Sequence, residues 1–203
     1  MNIFRVLWIF VGVTAAAATN DLLSIGEVTI DPRARTLTFP AHVNLRSGAI
    51  EYLLVHETGK VHESLFKTHV APQQIHLAAL LLSEKNTNTP PAKPRLPPPA
   101  ITITWKDPAT GREKSAPAPQ LILDKKNRRP LGQTKWAYRG SRLIDGVFLA
   151  QRDGSIIAVM EDRDALIDQD TPDASDDENW EPVTDSMPPL ATPVHIQIRF
   201  ERK

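Results

Sequence analysis

Hydrophobic and polar positions alternate most cleanly at the C-terminal end. Across 193–200, PVHIQIRF, residues Val194, Ile196, Ile198 and Phe200 share one face, and His195, Gln197 and Arg199 share the other. That period of two predicts a half-buried strand. Similar strand chemistry recurs at 25–30, 35–45, 50–55, 61–66, 101–105, 121–123, 135–141, 146–150 and 155–160. Turn residues separate these runs. Asp31-Pro32 parts the first two. Glu57-Thr58-Gly59-Lys60 reads as a hairpin turn with Gly59 at a positive φ, and Arg152-Asp153-Gly154 reads as a second hairpin. One stretch, 72–83, has helix chemistry: Pro72 suits a first turn, and LAALLL at 77–82 predicts a buried C-terminal half. About nine strands and one packed helix predict an α+β fold, mainly antiparallel, with a β-sandwich as the alternative. Helices do not alternate with strands, which argues against a parallel α/β fold.

Two polar stretches interrupt the pattern. Residues 86–99 carry six prolines in fourteen positions and read as an extended connection. Residues 161–192 are acidic and dotted with proline, and are expected to form a long mobile insertion in a single domain over 19–203. The N-terminus has the three parts of a secretory signal peptide over 1–18. Arg5 is the basic region, VLWIFVGV at 6–13 the apolar one, and Ala16-Ala17-Ala18 the cleavage site before Thr19. The apolar run is shorter than the ~20 residues that span a bilayer, so no stable membrane span is expected after cleavage. The chain is therefore expected to be exported and soluble, periplasmic or secreted.

The chain contains no cysteine. That removes disulfides, lipid attachment at a lipobox, thiolate zinc sites, Cys nucleophiles and any iron–sulfur cluster held by this chain. Lysine and arginine number 24 against 24 acidic residues, a balance that argues against nucleic acid as the partner. The charge is nevertheless segregated. Residues 161–185 hold eleven acidic residues and one base, Arg163, while 106–142 hold ten bases and three acids. These blocks read as a basic binding patch with an acidic partner or calcium site, or as solvated loops attracting each other across the surface, and charge runs favour the loops.

The run GAIEYLLVHETGKVHESLFKTHVAPQQIHLAALLL at 48–82 is the most distinctive. Through Gly48, Glu51, Tyr52, Gly59, Lys60, His62, Glu63, Ser64, Leu65, His76 and Leu80 to Leu82 it resembles the YdjY-type domain of bacterial exported proteins. ITITW, KWAYRGS and FLAQRDGSIIAV resemble that family's second half, so the likeness runs from about 26 to 159 and returns at the last strand. The resemblance implies an exported domain and carries no assigned activity. Some relatives bear ferredoxin-type segments, which a chain without cysteine cannot match.

No G-x-S-x-G, H-E-x-x-H, Walker A or G-x-G-x-x-G pattern occurs. Asp168, Asp170 and Asp173 have some oxygen-ligand spacing but lack the glycine of an EF-hand loop. Histidine is the better lead, since five of six precede the proline-rich connection. His56 and His62 are candidate metal ligands, and His56, His62, Glu63, Ser64 and His76 form a candidate binding or structural polar cluster. A two-residue loop would put His56 and His62 on opposite faces. A three-residue loop would put them on one face, with Leu53, Val55, Val61, Glu63 and Leu65 on the other. The second register is preferred for its apolar alignment. Structural use of His62, Glu63 and Ser64, anchoring the hairpin to the helix of His76, outweighs a site. The sequence favours a non-enzymatic binding or scaffolding module with a protein or small-molecule partner. The alternative is a metal-dependent or His-based enzyme centred on His62-Glu63 and His76.

Overall fold

The computed structural model describes residues 22–83, 96–132 and 135–201. The expected signal peptide at 1–18 and residues 86–95 of the proline-rich connection lie outside the described residues. In chain order the elements are β1 (Leu23–Ile25), β2 (Val28–Asp31), β3 (Thr36–Val43), β4 (Tyr52–His56), β5 (Ser64–Thr68) and α1 (Pro72–Leu82). Then come β6 (Pro99–Lys106), β7 (Glu113–Pro117), β8 (Ile122–Asp124), β9 (Arg129–Pro130), β10 (Trp136–Tyr138), β11 (Leu143–Ile144) and β12 (Val147–Phe148). The chain ends with α2 (Leu149–Asp153), β13 (Ser155–Ala158), β14 (Ile167–Gln169), β15 (Trp180–Pro182) and β16 (Pro193–Phe200). The fold is α+β and rich in β. A mixed, mostly antiparallel sheet runs β10-β14-β13-β4-β5-β3-β16-β6-β7, with the β1–β2 hairpin attached to β3.

The strand with the cleanest alternation is central. β16 lies between β3 and β6, and its inward residues complete three apolar rows: Ala41–Val194–Trp105, Phe39–Ile196–Ile103 and Leu37–Ile198–Ile101. Each Val, Leu, Ile or Phe side chain among them, once removed from water, contributes roughly 1.5–3 kcal/mol before entropy is charged against it. The other edge of β3 is shared. β2 covers 36–38 and β5 covers 42–43, and Pro40 falls in the changeover, where no strand partner is present on that side. α1 starts on Pro72, packs on the β1–β2 hairpin and β3, and buries Pro72, Ile75, Ala78, Ala79 and Leu82. Its expected all-round burial is only partial, because Leu77 and Leu81 are exposed.

The turn at 57–60 does not make a hairpin. β4 and β5 are parallel, pairing Tyr52 with Ser64, Leu54 with Phe66 and His56 with Thr68. The chain returns through a 3-10 turn, Val61–Glu63, which brings the Glu63 carbonyl to the Glu51 amide at 3.0 Å. Both hairpin registers for His56 and His62 are therefore corrected. The physical reason is two-sided burial. Tyr52, Leu53, Leu54 and Val55 are all buried, as are Ser64, Leu65 and Phe66, and continuous apolar runs suit strands covered on both faces. Gly59 has no positive φ; it is required by close approach. A Cβ there would sit 2.8 Å from the Asp153 carbonyl oxygen and 3.1 Å from the Gly154 Cα. The second expected hairpin is corrected as well. Arg152-Asp153-Gly154 ends α2, with Gly154 at φ +71° as its left-handed cap.

The acidic stretch 161–192, expected as a mobile insertion, is built into the fold instead. It supplies β14, which pairs with β10 and β13, and β15, which pairs with β8. Ala165, Leu166, Ile167, Ala174, Trp180 and Met187 are buried, and these interleaved apolar residues anchor it in spite of the charge. The basic block meets it ion by ion. Lys125 pairs with Glu181, Lys126 with Asp176, Arg139 with Asp168 and Asp170, and Arg142 with Asp164.

Candidate functional site

Two polar clusters stand out, and the return turn after β4 builds the first. Lys60 Nζ lies 3.3 Å from Glu51 Oε2, 3.2 Å from Glu63 Oε1 and 5.1 Å from the centre of the Tyr52 ring. Burial and the neighbouring Glu63 carboxylate raise the Glu51 pKa, and Lys60 opposes them. The Tyr52 hydroxyl donates to Asp162 Oδ2 at 2.9 Å, and burial and that carboxylate push its pKa up to about 12. Glu51, Tyr52, Lys60 and Glu63, all in the motif, thus converge around one ammonium.

The histidines do not join them as a unit. His62 projects from the 3-10 turn with its side chain 77% exposed, and Nε2 is 3.6 Å from Glu63 Oε2. His56 ends β4, with Nδ1 2.8 Å from Thr58 Oγ1. Ser64 is fully buried and donates to the Phe66 carbonyl at 2.7 Å. His76 sits on α1, with Nδ1 2.8 Å from the Tyr138 hydroxyl, its ring stacked on Tyr138 and tilted against Phe148. Burial lowers its pKa, which favours the neutral imidazole. His56, His62 and His76 share no hydrogen-bond partner. Among the described residues no group of three or more His, Asp or Glu side chains is placed to hold a metal ion.

The second cluster lies where β10 meets β14. Trp136, Ala137 and Tyr138 pair with Gln169, Asp168 and Ile167, so Asp168, Asp170 and Arg139 fall on one side of the ribbon. Arg139 Nε donates to Asp168 Oδ1 at 2.7 Å, and Nη2 donates to Asp170 Oδ1 at 2.9 Å. Asp168 is 0% exposed. The Asp162 amide helps its charged form slightly, yet no donor meets Oδ2 in hydrogen-bond geometry. Burial outweighs Arg139 and pushes the Asp168 pKa up to about 6. Gln169 donates to Thr171 Oγ1 at 2.6 Å, while its own Oε1 is buried without a partner.

These side chains line an open cleft of about 820 Å³, with Arg142, Glu161 and Arg163 on its charged margin and Tyr138, Pro172 and Ala174 adding apolar surface. Its size lies within the range of small-molecule sites. Sequence reasoning places Asp168 and Asp170 only in an oxygen-ligand spacing and misses Tyr138, Arg139, Arg142, Arg163 and Gln169. The available signal is the period of two in Ile167-Asp168-Gln169-Asp170, which sets two carboxylates on one face of a strand.

A family model described as the YdjY domain matches residues 28–199. No curated protein and no solved structure matches the chain.

Proposed function

The chain belongs to the YdjY domain family, and from that premise we propose that it is an exported, non-enzymatic binding module whose ligand occupies the Arg139–Asp168 cleft. One observation carries the reading. A carboxylate held 0% exposed at the cleft keeps one oxygen without a donor, and such a group is costly unless something completes it. Arg139 satisfies one oxygen of Asp168, and a donor arriving through the cleft would reach the other only with a shift of the cleft margin, because that oxygen has no accessible surface.

Export rests on the signal-like residues 1–18. No helix among the described residues is long and apolar enough to cross a membrane. The alternative, a metal-dependent or His-based enzyme, would need His62, Glu63 and His76 to act together. His62 meets Glu63 on the return turn, whereas His76 meets Tyr138 on α1.

The binding reading is tested by amide chemical-shift mapping with a library of small polar fragments. Shifts confined to 138–142 and 168–174 are expected; hits that map only elsewhere, or no hits, overturn it. N-terminal sequencing of exported material is expected to start at Thr19, and Met1 retained on membrane-bound protein overturns the export reading.

A further inference from the structure

We propose that the bare side of α1 and the β11–β12 hairpin beside it form an interface between two copies of this chain. The proposal stands apart from the reading of the cleft and starts from the helix sequence. PQQIHLAALLL carries no charged residue, and its second half is apolar nearly all round, a composition that suits a helix covered on every side. A single copy covers only part of it. A spacing of four puts Gln73, Leu77 and Leu81 in one line along the helix, and all three are exposed.

The exposure continues onto the neighbouring elements. Eight large apolar side chains are exposed among the described residues, and seven lie on α1 and the two hairpins that flank it: Leu22 and Leu23 at the start of β1, Leu77 and Leu81 on α1, and Leu143, Ile144 and Val147 on β11 and β12. Contacts fix the flanking. The Gly26 turn of the β1–β2 hairpin abuts the Gln74 side chain on one side of the helix. On the other side the Phe148 ring lies 5.1 Å from that of His76, and the Gln73 amide donates to Gln151 Oε1 at 3.2 Å. β11 and β12 form a two-stranded sheet of their own, closed by Asp145 and Gly146, both at positive φ as a type I′ turn requires. Leu143 pairs with Phe148 and Ile144 with Val147, so both faces of this hairpin are apolar.

The area is close to what a stable dimer needs. A fully exposed aliphatic side chain of this size presents on the order of 100 Å² of apolar surface. At exposures of 43–70% the seven therefore give a patch of roughly 400 Å², and contiguous apolar patches of that size mark interaction sites. A standard interface covers about 800 Å² per partner, about 60% of it apolar, so the patch supplies most of that apolar part.

The arrangement selects a second copy as the occupant. The surface holds both halves of a reciprocal contact, an apolar hairpin and a bare helix side next to it, and a two-fold axis lays each hairpin on the other copy's helix. The charges at its margin are already paired within the chain: Arg142 with Asp164, Arg152 with Asp153 and Glu27 with His69. Identical faces therefore meet without like-charge repulsion, and an oppositely charged partner finds little net field to follow. A lipid surface fits less well, because Asp145 at the hairpin tip would be carried toward the hydrocarbon. In a dimer that carboxylate stays at the wet rim.

The test is sedimentation equilibrium of the purified protein over a micromolar concentration series, and a monomer–dimer equilibrium is expected. Leu81→Glu and Ile144→Lys change side chains that are exposed in one copy, so each should keep a native circular dichroism spectrum while weakening dimerisation roughly tenfold or more. Mixed together, the two variants should pair more tightly than either does with itself. The new lysine of one copy then meets the new glutamate of the other, and the second hairpin–helix contact is native. Leu190→Ser, at the exposed leucine outside the patch, should change nothing. A protein that stays monomeric throughout the series overturns the proposal, as does a dimer that both variants leave intact or a mixture that gains nothing. Flotation with phosphatidylglycerol vesicles covers the competing occupant: vesicle binding by a monomer, abolished by Leu81→Glu, would overturn the dimer and assign this face to a membrane surface.

Discussion

The Lys60 cluster and the Arg139–Asp168 cleft are built from the same kinds of side chain, and they differ in how completely those side chains satisfy one another. Around Lys60 the circuit closes: one ammonium serves Glu51 and Glu63 and lies over Tyr52, whose hydroxyl is bound to Asp162. At the cleft the circuit stays open, because Asp168 Oδ2 and Gln169 Oε1 are buried without donors. Asp162 joins the two regions, since its carboxylate accepts from Tyr52 and its amide slightly favours the charged form of Asp168. A closed circuit on a tight return turn fixes a backbone path. An open one next to a cavity leaves bonding capacity for a ligand. The motif-rich region therefore reads as architecture, and the acidic stretch as the place to look for binding.

The largest effect that could break this comparison is at Trp180. If the acidic stretch is core, Trp180→Ala removes a fully buried side chain and should cost ~3–5 kcal/mol in a urea melt. A loss below about 1 kcal/mol would return residues 161–192 to the status of a detached insertion.

The same stretch explains what was legible in the sequence. β16 was readable because its period of two matches one-sided burial, and α1 because Pro72 and the helix formers after it mark a helix, although its nearly all-round apolar half hid the exposure of Leu77 and Leu81. The parallel β4–β5 pair was not, because Glu57-Thr58-Gly59-Lys60 has the composition of a hairpin turn and nothing local reveals that Gly59 packs on Gly154. The long apolar runs YLLV and SLF were the available warning, since strands of a one-faced hairpin alternate. In the acidic stretch, the charge count hid Ala165-Leu166-Ile167 and Trp180, and only the three-dimensional pairing of acids with 125–142 reveals why so much charge is tolerated. The Asp168 site depends on burial, a property of the assembled fold that the spacing of two aspartates does not encode.

The next effect sharpens the contrast through pH. A carboxyl whose folded pKa of about 6 lies above the ordinary 3.8 holds its proton more tightly in the folded state. Its contribution to stability is most favourable below about pH 4 and is lost as pH rises to about 6. The gap corresponds to roughly 3 kcal/mol at most. The stability difference between the native chain and Asp168→Asn should therefore fall across that window, and reading only its pH dependence removes the constant cost of losing the Arg139 pair. Urea melts of both proteins at pH 4 and pH 7 measure it. A difference that stays constant would mean Asp168 is solvated like an ordinary surface carboxylate.

A smaller effect is expected at Gly154. Alanine there would adopt φ +71° and place its Cβ 2.8 Å from the Gly59 Cα. Left-handed backbone alone costs about 1–2 kcal/mol for a residue with a side chain. Gly154→Ala should therefore lower stability by at least that much while fragment shifts at the cleft persist. A neutral substitution would show that the return turn is not held by this close approach.

The smallest effect belongs to the Lys60 cluster itself, and its smallness is informative. Lys60 and its carboxylates are partly exposed, so solvent screens their attraction and each pair is worth about 0–1 kcal/mol. Lys60→Met keeps the length of the stem and its contact with the Tyr52 ring but removes the charge. It leaves Glu51 and Glu63 facing each other without a cation, so the Glu51 pKa, already raised by burial and by Glu63, should rise further. The predicted loss at neutral pH is therefore about 1 kcal/mol, and it should shrink when Glu51 is also changed to Gln, because the repulsion then disappears. A double-mutant cycle over Lys60→Met and Glu51→Gln, read by urea melts, measures that coupling. His62→Ala serves as the reference, with no measurable change expected from a ring 77% exposed. If Lys60→Met left stability untouched but abolished fragment binding, the closed circuit would be part of the recognition surface, and the division of labour between the two clusters would fail.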